Sequence, residues 1–353
     1  MNINRRPTKQ ISVGGVPIGG SSPITVQSMT NTRTEDVAAT VAQIKSLSRS
    51  GCDIVRIAVP DRTSAEAVWE IKNKTDIPIV ADIHFDHCLA LICIERGIDK
   101  VRINPGTISG QENVIKVTQA AKSKNIPIRI GVNGGSLEKE LLAWYGGATP
   151  EAMVESAKRH IDLLNKFGFD DIAVSLKSSS VKATVEAYRL FSQRYDYPLH
   201  IGVTESGTNQ IGQIKSAIGI GGLLLDGIGD TLRVSLTSAP EDEVAVGRDI
   251  LRSLGLCKGG VEVISCPTCG RCRIDLIPIA EAVTGAVAGI DKAVKVAVMG
   301  CAVNGPGEAR DADLGVAGGD GCAVLFRKGE IVRKVPEAQC VDVLMEEIER
   351  LKY

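Results

Sequence analysis

Short apolar runs rich in β-branched residues alternate with amphipathic segments along the first two thirds of the chain. After the first run, Val37, Val41, Ile44 and Leu47 recur at helical spacing. Strands that alternate with helices predict a parallel sheet with right-handed crossovers. There are eight such runs, at residues 24–30, 53–59, 77–83, 100–105, 128–133, 171–177, 199–205 and 231–237.

Eight strand-helix units of this size predict a (β/α)8 TIM barrel rather than an open doubly wound sheet. Residues 10–18 before the first unit form a candidate hairpin that turns at Gly14-Gly15 and would close the bottom of the barrel. The last barrel helix is predicted at 241–254 and ends at Gly255. We therefore expect a substrate-binding barrel domain at 1–258 and a second domain at 259–353.

The remaining segment has the pattern of a small α+β domain. Strands are predicted at 261–264, 293–298, 321–326 and 330–335, with helices at 276–288 and 337–351. The first strand leads into Cys266-Pro-Thr-Cys269, and the second leads into Cys301. Two strand ends would therefore deliver three thiols to one place.

These cysteines predict a metal or cluster site, because a Cys-x-x-Cys turn places two sulfurs on one inorganic core. Glu308 follows Cys301 through a Gly-Pro-Gly turn and is a candidate fourth ligand. A carboxylate binds soft-ligated iron more weakly than a thiolate and could yield to a substrate. Three alternatives stay open: a disulfide, a structural zinc ion, and Cys272 in place of Cys301 as the third thiol.

Composition excludes several classes of protein. The net charge is −1 and aromatic residues make up 3% of the chain, without the basic run that a nucleic-acid-binding protein would need. We found neither a signal peptide nor an apolar run long enough for a membrane span, so a cytoplasmic location is expected. In a reducing compartment the other single cysteines are expected to be small buried hydrophobic residues: Cys52, Cys88, Cys93, Cys257, Cys322 and Cys340.

Polar side chains near the ends of the predicted strands are unusually cationic. In barrel enzymes the reacting groups lie at the carboxyl ends of the strands. Five cations at one mouth suit a ligand such as a diphosphate, which guanidinium groups hold bidentately. The candidates are Arg56, Asp82, His84, Arg102, Asn104, Arg129, Asn133, Ser175, Lys177, Thr204, Glu205, Arg233 and Ser235.

The alternative is that the arginines form salt-bridged layers with Asp82, Glu205 and helix acids. Glu205 ends a strand and could exchange a proton with a bound ligand, or it could serve as an ion-pair partner. His84 and His87 suggest a metal pair without an evident third ligand, so a hydrogen-bonding or surface role is favoured for both.

Six segments together resemble the 4-hydroxy-3-methylbut-2-en-1-yl diphosphate synthase family of the non-mevalonate isoprenoid pathway, across nearly the whole chain. They are Cys266-Pro-Thr-Cys269-Gly-Arg271, Gly300-Cys-Ala-Val-Asn-Gly-Pro-Gly-Glu308, Asp53-Ile-Val-Arg-Ile57, Ala81-Asp-Ile-His84, Val101-Arg-Ile-Asn-Pro-Gly106 and Val203-Thr-Glu-Ser-Gly207. The resemblance implies two-electron reductive opening of 2-C-methyl-D-erythritol 2,4-cyclodiphosphate with loss of water. It also implies reduced flavodoxin or ferredoxin as the electron donor and a head-to-tail homodimer.

The resemblance implies roles for individual residues as well. A [4Fe-4S] cluster would be held by Cys266, Cys269, Cys301 and Glu308, which excludes Cys272. Glu205 would act as acid or base. The diphosphate would be held by Arg56, Arg102, Arg129, Asn133, Lys177, Arg233 and Ser235, and the strand-end position of Thr204 adds it to this set.

Two other functions compete with this interpretation. One is a phosphate-handling barrel enzyme with a structural zinc domain, and the other is an electron carrier whose barrel docks partners. The cationic mouth disfavours the carrier, because a carrier needs no pocket for a small anion.

Overall fold

The computed structural model describes residues 3–104, 108, 110–257, 259–290, 292–302, 305–319 and 321–351. The chain divides into two compact units, residues 1–254 and 255–353. Pro105 and Gly106, Lys258 at the expected boundary, and Val303 and Asn304 of the glycine-rich motif lie outside the described residues.

The first unit begins with a hairpin of β1 (Gln10–Val13) and β2 (Val16–Gly19), paired antiparallel. Gly14 and Gly15 have φ angles of +54° and +89°, the left-handed conformation that a two-residue hairpin turn needs. Ile11, Val13 and Ile18 of this hairpin pack against Ile54, Val80 and Ala173 of the barrel strands. The predicted hairpin is confirmed.

All eight predicted barrel strands are present. They are β3 (Thr25–Met29), β4 (Ile54–Ala58), β5 (Ile79–Asp82), β6 (Lys100–Ile103), β7 (Ile128–Asn133), β8 (Ile172–Lys177), β9 (His200–Ile201) and β10 (Thr231–Leu232). The order β8-β7-β6-β5-β4-β3-β10-β9 is parallel throughout. A parallel bridge between Val174 and Leu199 joins the two ends of this sheet, so the strands form a nearly closed barrel.

Two of these strands fall furthest short of their predicted lengths. β9 and β10 contain two residues each, whereas the sequence predicted seven in each run. The backbone after Ile201 leaves the strand conformation, and Glu205 has a φ angle of +51°. The apolar pattern continues beyond the ladder because Val203 and Val234 are still fully buried.

Helices surround the barrel. They are α1 (Val37–Arg49), α2 (Arg62–Asn73), α3 (His87–Glu95), α4 (Gln111–Ser123), α5 (Lys139–Tyr145), α6 (Pro150–Asn165), α7 (Val181–Ser192), α8 (Asn209–Leu225) and α9 (Pro240–Ser253). The Asp36 side chain caps α1 by accepting from the Ala39 N–H at 3.0 Å. None of the described helices has the length and apolar run that a bilayer crossing requires.

The second unit is a five-stranded sheet with helices. Its elements are β11 (Val261–Ser265), α10 (Leu276–Ala286), β12 (Val294–Met299), α11 (Gly305–Glu308), β13 (Leu314–Gly319), β14 (Cys322–Arg327), β15 (Glu330–Val335) and α12 (Cys340–Arg350). The sheet order follows the chain, parallel up to β13 and antiparallel after it. β13 was not predicted from the sequence, because its three glycines weaken the apolar pattern.

Candidate active site

Strand register brings charged side chains to one face of the barrel wall. Asp82 of β5 is the register partner of Arg102 of β6, and Arg102 is the partner of Arg129 of β7. Paired residues on neighbouring strands point to the same side of a sheet. Asp82, Arg102 and Arg129 are all at most 5% exposed, so they lie inside the barrel.

Asp82 is the shared counterion of this group. It accepts from Arg102 Nη1 at 3.1 Å and lies 3.7 Å from Arg56 Nε and 3.5 Å from His84 Nε2. Burial alone would raise the pKa of Asp82, but Arg56, His84 and Arg102 outweigh burial and hold the pKa far below its ordinary value. This carboxylate is therefore ionised at any physiological pH.

Arg233 has its own counterion, which the sequence analysis did not identify. Its Nε and Nη2 donate to the Glu243 carboxylate of α9 at 3.2 and 3.4 Å. Glu243 is 5% exposed and also accepts from the Ser28 hydroxyl at 3.1 Å. The ion-pair alternative gave this role to Glu205 or an unspecified helix acid, and the structure gives it to Glu243.

Arg129 and Lys177 are buried without such partners among the contacts of the described residues. Burial, followed by Arg56 and Arg102, lowers the pKa of Arg129. Burial, followed by Arg129 and Arg233, lowers the pKa of Lys177. Arg129 Nε and Arg102 Nε are fully buried and lack hydrogen-bond acceptors. Buried donors that repel one another in this way are stabilised by an anion.

The charge balance supports an anion site. Arg56, Arg102, Arg129, Lys177 and Arg233 interact with one another, and the carboxylates that contact them are Asp82 and Glu243. Within the described part of the chain, this set therefore has a surplus of three positive charges. The salt bridges to Asp82 and Glu243 neutralise two of the five cations. The other three positive charges are available to bind an anionic ligand.

Two glycines, Gly131 in β7 and Gly202 directly after β9, make room for this cationic layer and were not predicted as site residues. A Cβ on Gly131 would lie 2.5 Å from Arg102 Nε, and a Cβ on Gly202 would lie 2.7 Å from Lys177 Nζ. Both glycines stand in the tripeptide Ile-Gly-Val, at 130–132 and 201–203. This repeat in two of the predicted strand runs was the available signal.

Asn133, Thr204, Glu205 and Ser235 lie at or shortly after the ends of barrel strands. Glu205 is exposed in a left-handed conformation that is uncommon for a residue other than glycine. Thr204 donates its backbone N–H to Ser178 O at 3.3 Å, and the Ser235 carbonyl accepts from the Ser206 hydroxyl. Asn133 is the last residue of β7.

The structure supports the expected hydrogen-bonding role of His84 and corrects the expectation for Cys88. His84 is close to Asp82, and His87 lies instead with Asp86 and Cys88, where the three ligand atoms are within 4.8 Å of one another. Cys88 is exposed, so the expectation of a buried hydrophobic residue was wrong at this position. It is correct for Cys52, Cys93 and Cys340, which are buried.

In the second unit the proposed ligand cysteines follow two neighbouring parallel strands. Cys266 comes directly after β11, and Cys301 comes two residues after β12 ends at Met299. The Gly300 N–H donates to Cys266 Sγ at 3.1 Å, which links the two strand ends. Cys266 and Cys301 are half-buried and Cys269 is exposed.

Glu308 lies at the end of one short helical turn. Gly305 N–H donates to Cys301 O at 3.0 Å, so α11 begins by winding back on the Cys301 backbone. We predicted a simple turn here, and the structure has a helix over Gly305–Glu308. The Glu308 side chain is exposed.

The donor set fits a group that binds thiolates. Backbone N–H donors stabilise the anionic form of a sulfur. The Gly300 N–H donates to Cys266 Sγ, and the hydrogen bond from the Arg271 backbone lowers the pKa of the Cys269 thiol. Soft thiolates with one nearby hard carboxylate suit iron with an exchangeable position.

The two units together define a class of protein. A parallel barrel with a cationic mouth is typical of enzymes that act on anionic small molecules, and the appended unit presents thiols from two strand ends. The GcpE TIM-barrel domain matches residues 8–248, and the GcpE protein C-terminal domain matches residues 262–350. The chain belongs to the GcpE family, whose members include the 4-hydroxy-3-methylbut-2-en-1-yl diphosphate synthases.

Curated relatives match over almost their whole length. The chain is 59% identical over 347 residues to 4-hydroxy-3-methylbut-2-en-1-yl diphosphate synthase (flavodoxin) of Caldanaerobacter subterraneus subsp. tengcongensis, covering 98% of each chain. It is also 59% identical over 344 residues to the Geobacter sulfurreducens protein of that name, again covering 98% of each. Dihydropteroate synthase from Stenotrophomonas maltophilia shares the fold, with a TM-score of 0.52 at 14% identity over 70% of this chain and 97% of that chain.

Proposed function

We propose that this chain converts 2-C-methyl-D-erythritol 2,4-cyclodiphosphate to 4-hydroxy-3-methylbut-2-enyl diphosphate. The reaction is a two-electron reductive ring opening with loss of water. The observation that carries the proposal is the positive surplus inside the barrel, in a chain whose two units both match the GcpE family. The named relatives carry out this synthesis with flavodoxin.

In this proposal the barrel domain, residues 1–258, binds the cyclic diphosphate. The diphosphate oxygens accept hydrogen bonds from the cationic layer and relieve the repulsion among Arg56, Arg129 and Lys177. Asp82 and Glu243 hold the guanidinium groups of Arg56, Arg102 and Arg233 before the ligand arrives, so little reorganisation is needed on binding. Asn133, Thr204 and Ser235 add neutral hydrogen-bonding groups at the strand ends.

Glu205 is proposed as the acid or base. Its exposed carboxyl group follows the end of β9, where it can exchange protons with solvent between turnovers. Its left-handed backbone is maintained at a cost in stability, which is common for residues that a reaction requires.

The second domain, residues 259–353, is proposed to hold a [4Fe-4S] cluster through Cys266, Cys269, Cys301 and Glu308. When bound, the cluster supplies the electrons that it receives from reduced flavodoxin or ferredoxin. The protein would work in the cytoplasm, where these thiols stay reduced. The Gly300 and Arg271 backbone N–H groups stabilise the thiolates, and Glu308 is the ligand that can be displaced.

Anaerobic purification provides the first test. We expect a brown protein that contains iron and sulfide and that turns over the cyclodiphosphate with a chemical electron donor. A colourless zinc protein would contradict the proposed cofactor and favour a phosphate-handling barrel enzyme with a structural zinc domain.

Matched cysteine variants test the ligand set. Cys301→Ser is expected to lose the visible absorption and the iron, because three thiolates hold the cluster. Cys272→Ser is the control, and it should keep both. The reverse result would assign the third position to Cys272.

Glu308→Ala should retain bound iron and lose turnover, and full turnover would refute the exchangeable-ligand role.

A homodimer is also proposed, and α8 provides the supporting surface. Ile211, Ile214, Ile218 and Leu225 are 50–62% exposed and lie along one face of this helix. Their spacing follows a 3.5-residue repeat, which is the pattern of helices that pack against each other. A second copy can use the same face, since two-fold dimers join identical surfaces.

The dimer proposal is tested by Ile214→Glu with Ile218→Glu. Buried glutamates oppose each other across a two-fold contact, so the double variant is expected to elute as a monomer in size-exclusion chromatography with light scattering. Trp69→Glu on α2 is the control, because Trp69 is equally exposed at 59% and lies outside this face. A double variant that stays dimeric would exclude α8 as the contact.

A further inference from the structure

Cys269-Gly-Arg-Cys272 is a second Cys-x-x-Cys segment, and it overlaps the proposed ligand pair. The Cys272 N–H donates to Cys269 O at 3.0 Å, which closes a β-turn over these four residues. A β-turn brings the first and fourth Cα atoms within about 7 Å, and disulfides span about 4.4–6.8 Å between Cα atoms. The backbone therefore already holds these two cysteines at a separation suited to a disulfide.

Cys266 is less well placed to react with Cys269. Its Sγ accepts the Gly300 N–H at 3.1 Å, on the neighbouring strand end. Pro267 follows it and favours an extended conformation at Cys266. In the described backbone, residues 266–269 form no turn comparable with that at 269–272.

The surroundings of Cys272 suit a thiol that reacts after Cys269 has been oxidised. Its Sγ donates to Ile274 O at 3.2 Å and is half-buried, so it is held in place and still accessible. A Cβ on Gly300 would lie 2.7 Å from this sulfur, so Cys272 packs directly against the residue between Met299 and Cys301. Cys269 is exposed, so solvent oxidants can reach it.

We propose that Cys269 and Cys272 form a reversible disulfide when the chain carries no cluster, and that this disulfide withholds Cys269 from cluster assembly. The oxidant is a peroxide. The Cys269 sulfur takes one oxygen from the peroxide and releases one water; Cys272 then attacks the resulting sulfenic acid, and a second water leaves. Two thiols thus lose two electrons and two protons, and the peroxide gains both. A dithiol reductant reverses the step by thiol-disulfide exchange.

The consequence for cluster assembly rests on the proposed function, whereas the disulfide itself does not. A sulfur in a disulfide cannot serve as a thiolate ligand, so an oxidised chain lacks one of its three ligand thiols. Bound cluster, in turn, protects Cys269 from oxidation. The disulfide keeps the oxidised apo-protein in a form that a reductant can restore, because it stops the oxidation of Cys269 before irreversible sulfinic acid forms.

Peptide mapping tests the disulfide. The full chain is freed of iron by a chelator without oxygen, treated with hydrogen peroxide, alkylated and digested with trypsin. Trypsin cuts after Arg271, so a Cys269–Cys272 disulfide joins two peptides, whereas a Cys266–Cys269 disulfide stays within one. We expect the joined peptides, with the alkyl group on Cys266 and none on Cys269 or Cys272, because a Cys266–Cys272 disulfide would join the same two peptides. Joined peptides that carry the alkyl group on Cys269 would overturn the proposal. A Cys266–Cys269 loop, or alkylation of both Cys269 and Cys272, would overturn the proposal.

Cluster reconstitution tests the consequence. After peroxide, the wild-type chain is expected to regain iron-sulfur absorption only when a dithiol is added. Cys272→Ser and Cys272→Ala are expected to regain much less even with the dithiol, because without Cys272 the Cys269 sulfenic acid is oxidised further to sulfinic acid. Cys322→Ala is the control and should behave like the wild type; circular dichroism confirms folding of each variant. Equal loading of the peroxide-treated wild type with and without dithiol would refute the inference. A wild type that never loads a cluster, even fully reduced, would refute the proposed function and leave the peptide map to decide the disulfide.

Discussion

Asp82→Asn is expected to lower the free energy of unfolding by about 3–5 kcal/mol, which is the usual cost of breaking a buried ion pair from one side. Asp82 is 5% exposed and balances Arg102 at 3.1 Å and Arg56 at 3.7 Å. An amide of the same shape leaves both guanidinium groups without a carboxylate. Urea denaturation of the full chain measures the loss.

Asp170→Asn is the control for this prediction. Asp170 also binds a cation, Lys9 at 2.7 Å, but its side chain is 57% exposed. Exposed pairs contribute at most about 1 kcal/mol. A loss in Asp82→Asn no larger than in the control would show that the barrel cations need no internal counterion. Added pyrophosphate should recover more stability in Asp82→Asn than in the control, because it supplies the missing negative charge.

The lowered pKa of Asp82 also predicts how the free energy of unfolding depends on pH. The pKa of Asp82 is far lower in the folded chain than the value of about 4 in the unfolded chain. Its stabilising contribution is therefore complete above pH of about 4 and is lost progressively as the pH falls below that value. In an acid titration followed by circular dichroism, Asp82→Asn should lose less stability below this pH than the wild type does.

Glu205→Gln is expected to reduce turnover about 10²–10⁴-fold, the usual contribution of a positioned acid or base. Glu205→Gly should lose as much activity and yet gain up to about 1 kcal/mol of stability, because glycine adopts a φ angle of +51° without strain. A stability gain with an activity loss separates a reacting carboxylate from an ion-pair partner, whose removal would destabilise the fold.

Asn125→Gly provides the matched control. Asn125 has a φ angle of +53° in the loop that precedes β7, at the opposite end of the strand from Asn133. This substitution should relieve similar strain and leave turnover unchanged. If Glu205→Gln kept full turnover, the proton would have to come from another group.

Periodicity predicted the barrel because each strand is a short apolar run and each helix carries an apolar stripe. Those signals are local, so the eight strands and the β1–β2 hairpin could be located in the sequence. β13 could not be located, since glycines at 315, 318 and 319 remove side chains where the pattern needs them. The short ladders of β9 and β10 depend on pairing with neighbours, which an apolar run does not encode.

The types of residue in the site could be predicted from the sequence, but their ion-pair partners could not. Arg56, Arg102 and Arg233 could be named because they recur at corresponding places in strands. Which acid faces which base depends on packing between distant segments, and the sequence could not indicate that Glu243 would pair with Arg233. The Gly300 contact with two sulfurs was hidden for the same reason, because it joins residues about thirty positions apart.

The β1–β2 hairpin affects where a small molecule can reach the inside of the barrel. Ile11, Val13 and Ile18 cover the end of the barrel at which the strands begin, so within the described part of the chain the opposite end, where the strands finish, is the expected entrance for a small molecule. Substrate and product would therefore use the same entrance to the barrel. Product would have to leave before the next substrate molecule could reach the cationic layer.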